Sequence, residues 1–217
     1  MGRFAVIGLG KFGSHVARTL YEKGNEVVGI DSDSARVQEM RDSCSQAIVA
    51  NCTDQETLRA VGVGDSDAVV LSLGERMDAS VLVTLYLREL GVQRIVVKAL
   101  SDDHGKILKM IGATEIVHPE RDTALRVANV LGTRSILEFL PLGVGFSLVE
   151  LAAPKVFIGK TLAEMKIRQQ YQVTVVAVKN GDRLDLVPGG EYHVAPGDLL
   201  VLVGKDQDLN RMAREAE

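Results

Sequence analysis

A chain of 217 residues is long for one domain and short for two full ones, so a larger domain with a small companion is the natural expectation. Hydrophobic residues make up 46%, charged residues 25% and aromatics 4%, with no Trp, so the core must rest on Val, Leu, Ile and Ala, a composition that suits buried parallel strands. A net charge of −4 with no concentrated basic stretch argues against nucleic acid as a partner, and no run of about 18 apolar residues is present to cross a bilayer, so a soluble, cytoplasmic protein is expected.

The N-terminus, MGRFAVIGLG, passes from one arginine straight into a strand, which is not the pattern of a secretory signal. From there short apolar runs alternate with helical stretches. Strands are predicted at residues 4–7, 27–30, 47–50, 68–73, 95–99 and 115–118. These runs are continuous rather than alternating, so both faces are buried, as in a parallel sheet between helices. The stretch 10–23 places Phe12, Val16, Ala17, Leu20 and Tyr21 on one stripe and stops at Gly24. Thr53-Asp54-Gln55-Glu56 reads as a capping box. A longer helix is predicted at 78–90, closed by Gly91, and Ser101 or Asp102 caps another that runs to Ile111. Beyond Pro119, residues 120–131 read as a helix, Gly132 interrupts it, and 135–140 read as a second helical piece ending at Pro141. The remainder changes character: a strand at 147–152, a short helix at 161–167, a strand at 173–179, a hairpin turn at Asn180-Gly181, a turn at Pro196-Gly197-Asp198, a strand at 199–203 and a helix from Asp206. The expected fold class is α/β: a Rossmann-type doubly wound parallel sheet followed by a small α+β C-terminal domain.

One motif carries chemistry. Gly8-Leu9-Gly10-Lys11-Phe12-Gly13 is a G-x-G-x-x-G that follows a strand, opens an amphipathic helix and precedes a second strand ending in an acid, Asp31, 18 residues after Gly13. Gly8 makes the tight turn, Gly10 admits a phosphate to the backbone, and Gly13 lets the helix press on the sheet. The helix N-terminus offers N–H groups and partial positive charge to phosphates. Asp31 can accept from both ribose hydroxyls and would repel a 2′-phosphate, which argues against NADP. Lys11 is either a solvated lysine or the neutraliser of a terminal phosphate. Asn51 is either a turn residue or a contact on the adenine side. Ser72, Leu73 and Gly74 end the fourth strand near the switch point where such sheets bind ligands. Phe12, Ser32, Cys52 and Glu75 complete the candidate lining. Glu120, in His118-Pro119-Glu120, is either a helix-capping acid or faces phosphates through a cation. Cys44 and Cys52 have no ligand partners at metal-binding spacing and read as buried small residues. The four histidines, at 15, 104, 118 and 193, form no ligand pattern, and no G-x-S-x-G is present.

In order and spacing, the segments AVIGLGKFG, GIDSD, ANCTD, LSLGERMDAS, VVKAL and IGATEIVHPERD resemble the RCK (KTN) regulatory proteins of potassium transport, of the KtrA/TrkA type, and the C-terminal part resembles their RCK-C domain. The resemblance covers essentially the whole chain. It implies an RCK-N nucleotide-binding domain with its helical arm at 1–133 and an RCK-C regulatory domain at 134–217. It implies homo-dimers that exchange the arm and assemble into a homo-octameric ring on a membrane-embedded potassium-translocating subunit. ATP and ADP, or NAD and NADH, would compete for the pocket, with contacts at Gly8, Gly10, Lys11, Asp31, Asn51, Gly74, Lys98 and Glu120, and at His104 by its spacing from VVKA. Glu120 would meet the phosphates through Mg or another cation. Cyclic di-AMP would bind the C-terminal domain around Ile158, Leu162 and Arg168. Lys11 stands where the family often has Arg; the charge is kept and the bidentate fork is lost.

Two other readings compete with a ligand-gated regulatory subunit. An NAD-dependent oxidoreductase rests on the glycine fingerprint alone, and fold does not give function. No acid/base pair in the sequence is placed for hydride chemistry. A redox-sensing DNA regulator would need a helix-turn-helix or a basic face, and neither is present.

Overall fold

The structure is a computed structural model that describes residues 1–133 and 135–215. It divides into two compact units, Met1–Pro119 and Glu120–Glu217. The boundary expected at 133/134 falls on Arg134, outside the described residues, as do the final two positions.

The first unit is a six-stranded, wholly parallel sheet built from β1 (Arg3–Ile7), β2 (Glu26–Asp31), β3 (Gln46–Val49), β4 (Ala68–Leu71), β5 (Ile95–Lys98) and β6 (Glu115–Val117), in the order β3-β2-β1-β4-β5-β6. This is the Rossmann order, with its switch point between β1 and β4. Continuous apolar runs explain it, since a strand buried on both faces needs no polar side. Ala5 and Ile7 of β1 face one layer with Leu58, Val83, Leu87 and Leu108 from α3 (Gln55–Val61), α4 (Met77–Glu89) and α5 (Asp102–Ile111). Val6 between them faces the other, with Leu9, Ala17 of α1 (Lys11–Glu22) and Val37 of α2 (Ser34–Glu39).

Some predicted details are corrected. The cap of α3 is Asp54, whose carboxylate accepts from Glu56 N–H (3.2 Å) and from the Thr57 hydroxyl (2.6 Å); Thr53 instead donates to Asn51 Oδ1. Helix α2 was not anticipated, because Val37 is its sole buried residue and leaves no periodic signal. Ser101 does cap α5, accepting from His104 N–H.

The second unit opens with α6 (Pro119–Gly132, its first residue closing the first unit), none of whose residues is buried. The segment predicted as a second helical piece is a strand, β7 (Ile136–Gly143), paired antiparallel with β8 (Phe146–Ala152). Inward Ile136 and Phe139 join the core while Leu137, Leu140 and Leu142 are half exposed, so strand pairing overrides a pattern that mimics a helix turn. With β9 (Thr174–Asn180), β10 (Arg183–Leu186) and β11 (Leu199–Lys205) the sheet order is β10-β9-β11-β8-β7. The Asn180-Gly181 hairpin is present, but its two-residue loop is Gly181-Asp182, since Asn180 still pairs with Arg183. The predicted helix at 161–167 is two short ones, α7 (Leu162–Met165) and α8 (Ile167–Tyr171), divided at Lys166 by a left-handed φ of 47°. Thr161 and Glu164 form the true capping box at its start. Leu209, Met212 and Ala213 of α9 (Asp206–Glu215) close the core over β8 and β11. Asp198, 1% exposed in the predicted turn, accepts from Asn180 Nδ2 (2.6 Å), Tyr192 hydroxyl (3.0 Å) and Ala195 N–H (2.8 Å) and so ties three segments together. Among the described residues no helix is long and apolar enough to cross a membrane.

Candidate nucleotide-binding site

The loops after β1, β2, β3 and β4 meet at the carboxyl edge of the parallel sheet. Gly8 N–H donates to Ile30 O (2.8 Å) and Ser72 N–H to Ile7 O (2.8 Å), which stitches the three central strands at their ends. Gly8 has φ +92°, and a side-chain carbon there would collide with the Ser72 carbonyl. A side-chain carbon on Gly13 would collide with the Gly8 carbonyl, because α1 leans directly on the turn. Gly10 differs: nothing lies nearer its missing Cβ than Arg36 Nη1 at 3.8 Å, so its face is open. Gly10 is the N-cap of α1, no side chain caps that helix, and no acid occupies its first turn. Its leading N–H groups therefore keep their positive end for an anion. Lys11 is exposed at this end, while Phe12 packs partly into the core.

Asp31 ends β2 at 9% exposure. Its Oδ2 accepts from Leu9 N–H at 2.7 Å and its Oδ1 from Asp33 N–H at 2.9 Å, so the carboxylate fastens the glycine loop to the second crossover. Arg36 lies 3.5 Å from Asp31 Oδ2 and, through Nε, 3.4 Å from Asp33 Oδ2. Sequence reasoning missed Arg36, although an acid three residues before a base is a readable helical pair. Ser32 is exposed between them.

On the far side, Asn51 Oδ1 accepts from Thr53 N–H (3.1 Å) and hydroxyl (2.8 Å), so its turn role is realised. Cys52 is buried. Burial pushes its thiol pKa up, the Arg76 charge opposes this, and the Asp31 charge adds to it. Leu73 is half-buried, and Gly74 (φ 62°) and Glu75 are exposed in the turn leading to Arg76, the N-cap of α4. Arg76 was also missed.

The remaining predicted contacts lie further along the sheet. Lys98 ends β5, half-buried. His104 is 1% exposed: Leu100 N–H donates to Nδ1 (3.3 Å), so Nε2 carries the proton and donates to Ser80 Oγ (2.8 Å). That Ser–His contact resembles a nucleophile and base, but a protonated Nε2 cannot take the serine proton, and Ser80 Oγ in turn donates to Met77 O. The arrangement joins α4 to α5. Glu120 begins the second unit in the first turn of α6. Among the described residues no group of three His, Cys, Asp or Glu could hold a metal ion, so a cation at Glu120 would need oxygens from phosphates or from a second subunit. In the second unit, Leu162 and Arg168 line a groove of about 470 Å³ with Lys166 and Pro188, while Ile158, 37% exposed, is not part of its lining.

Residues 4–119 match the TrkA-N domain and residues 146–216 the TrkA-C domain. Fold and sequence together thus define a two-domain RCK chain, a Rossmann-like sheet followed by a small antiparallel domain. The chain belongs to the RCK/KTN family of potassium-uptake regulatory subunits, the KtrA/TrkA family. It is 39% identical over 211 residues to Ktr system potassium uptake protein C of Bacillus subtilis, covering 97% of this chain and 96% of the relative. To Ktr system potassium uptake protein A of Vibrio alginolyticus it is 38% identical over 207 residues, covering 95% and 94%. Its fold is similar to the crystal structure of the GsuK RCK domain (TM-score 0.67, 21% identity, 99% of this chain and 47% of that one). It is also similar to the GsuK channel bound to NAD (TM-score 0.54, 22% identity, 100% and 38%). This chain spans less than half the length of those two solved chains.

Proposed function

We propose that this protein is the cytoplasmic, nucleotide-sensing gating subunit of a Ktr/Trk-type potassium transporter, peripheral to the membrane through its partner. The observation that carries the reading is Gly10: an open, uncapped helix start beside a carboxylate that holds the same loop. Such a site suits the pyrophosphate and ribose of ATP, ADP, NAD or NADH. The NAD complex of the GsuK channel supports the ligand class, and the potassium uptake names of the relatives support the role. In this reading the contacts are those predicted at the four loop ends, with Lys98 and Glu120 beyond them, and a cation such as Mg at Glu120 bridges to phosphates; His104, enclosed and bonded at both ring nitrogens, acts behind the site by joining α4 to α5. The arm stays with the nucleotide-binding domain (1–133), and 134–217 regulate. Copies pair and close into an octameric ring that docks on a potassium-translocating membrane subunit. The groove at Leu162 and Arg168 is the place for cyclic di-AMP. A nucleotide moves such a ring only by its differential affinity for two shapes. The protein is not an enzyme in this reading, and the Ser80–His104 contact supplies no base against it.

Calorimetric titration of the wild type and Gly10→Ala with ATP, ADP, NAD and NADH tests this. Micromolar binding, about −8 kcal/mol, is expected for at least one nucleotide. Gly10→Ala should weaken it at least about tenfold while shifting stability by no more than about 0.5 kcal/mol, since the added carbon meets only Arg36 at 3.8 Å. A wild type that binds none of the four sinks the reading. Steady NADH consumption with a small substrate would favour the oxidoreductase instead.

A further inference from the structure

We infer that Arg36 is the residue that sets the affinity of the site for the sugar, by competing with it for Asp31. This rests on the nucleotide reading above. Each Asp31 oxygen already accepts a backbone N–H, Oδ2 from Leu9 and Oδ1 from Asp33. Both contacts are buried or part-buried. Arg36 Nη1 approaches the same Oδ2 at 3.5 Å and stands 3.8 Å from the open face of Gly10. The guanidinium therefore stands beside both the open face of Gly10 and the carboxylate, where a ribose held by Asp31 has to fit. A carboxylate oxygen has two lone pairs. With one given to Leu9, a sugar hydroxyl that bonds the other has to share Oδ2 with the guanidinium charge 3.5 Å away.

Arg36 is free to yield. Its side chain is 52% exposed, and its Nε keeps a second partner, Asp33 Oδ2 at 3.4 Å. Rotation about that anchor surrenders Asp31 without leaving the cation unpaired. An exposed ion pair of this kind holds its partner only weakly, so it tunes affinity rather than closing the site. The consequence opposes simple electrostatics: removing a positive charge beside an anionic ligand should tighten binding.

The test uses the full chain and two probes, ADP and 2′,3′-dideoxy-ADP, titrated into wild type, Arg36→Gln and Arg36→Lys. Arg36→Gln should bind ADP about two- to fivefold more tightly and dideoxy-ADP no more tightly than wild type does. Arg36→Lys should return towards the wild-type value. Unchanged or weaker ADP binding by Arg36→Gln overturns the inference, as does an equal gain for both probes, which would mean a general effect on the loop. A wild type that binds another of the four nucleotides but not ADP also overturns it, and one that binds none of them removes the nucleotide reading itself, an outcome separate from these.

Discussion

The parallel sheet of the first unit is covered on both faces, and the chain meets itself there through main-chain atoms: Gly13 rests on the Gly8 carbonyl, and Gly8 on that of Ser72. The antiparallel sheet of the second unit is organised differently. Its core is capped by α9 and the segment around Phe157 and Ile167, its outer strands leave Leu140, Leu142, Leu184 and Leu186 half or more exposed, and one buried carboxylate, Asp198, ties its loops. The first unit has thus put its specification into backbone geometry, which tolerates no added atom at two positions. The second has put it into a side-chain hub and leaves apolar surface for other contacts.

The largest expected effect tests the first half of that contrast. Gly8→Ala combines a strained positive φ with a collision against a carbonyl held in the sheet, so it should cost about 3–5 kcal/mol in chemical denaturation and abolish nucleotide binding with it. A loss under about 1 kcal/mol would mean that the loop adjusts and that its geometry is not imposed by the backbone. The counterpart in the second unit is Asp198→Ala. It strands the Asn180 amide, the Tyr192 hydroxyl and the Ala195 N–H, and should cost about 3 kcal/mol. Because these partners all lie in the second unit, the loss should appear as an early unfolding phase that spares the first. If both units lose stability together, the division of labour is wrong.

The same contrast decides what could be read in advance. Continuous Val/Ile runs and a glycine fingerprint are local signals, and six strands, α1 and the placement of Gly8, Gly10, Gly13 and Asp31 were legible from them. Arg76 was not, since its relevance comes from a different crossover than that of Asp31, and Arg36, in the same crossover as Asp31, was passed over with the short helix α2 that carries it. Nor was the loop-fastening role of Asp31, which needs Leu9 folded back onto it. In the second unit, β7 misled because Ile136 and Phe139 are spaced like neighbours on a helix, and only pairing with β8 makes it a strand. Asp198 sat in a correctly predicted turn, yet its three partners are brought to it only by the antiparallel fold.

The smallest expected effect concerns the polar hub that the first unit does contain. His104 is enclosed and held neutral: burial lowers its pKa from the usual value near 6.5, and the neighbouring His118 adds to the shift. His118 itself lies 3.9 Å from Asp102 Oδ1, and the other groups around His104 are the neutral Ser80 hydroxyl and the Leu100 amide. With a folded pKa below the unfolded one, the native state binds fewer protons than the unfolded chain. Stability is then complete above the unfolded pKa and is lost as pH falls from about 6.5 towards the folded value, at no more than about 1.4 kcal/mol per pH unit. Urea titrations between pH 7.5 and pH 5, each value about one unit from that midpoint or beyond, should show the decline in the wild type and a shallower one in His104→Gln. Equal slopes would remove His104 as a source of the acid sensitivity. They would leave the first unit with no titrating polar core, and the contrast with Asp198 sharper than drawn.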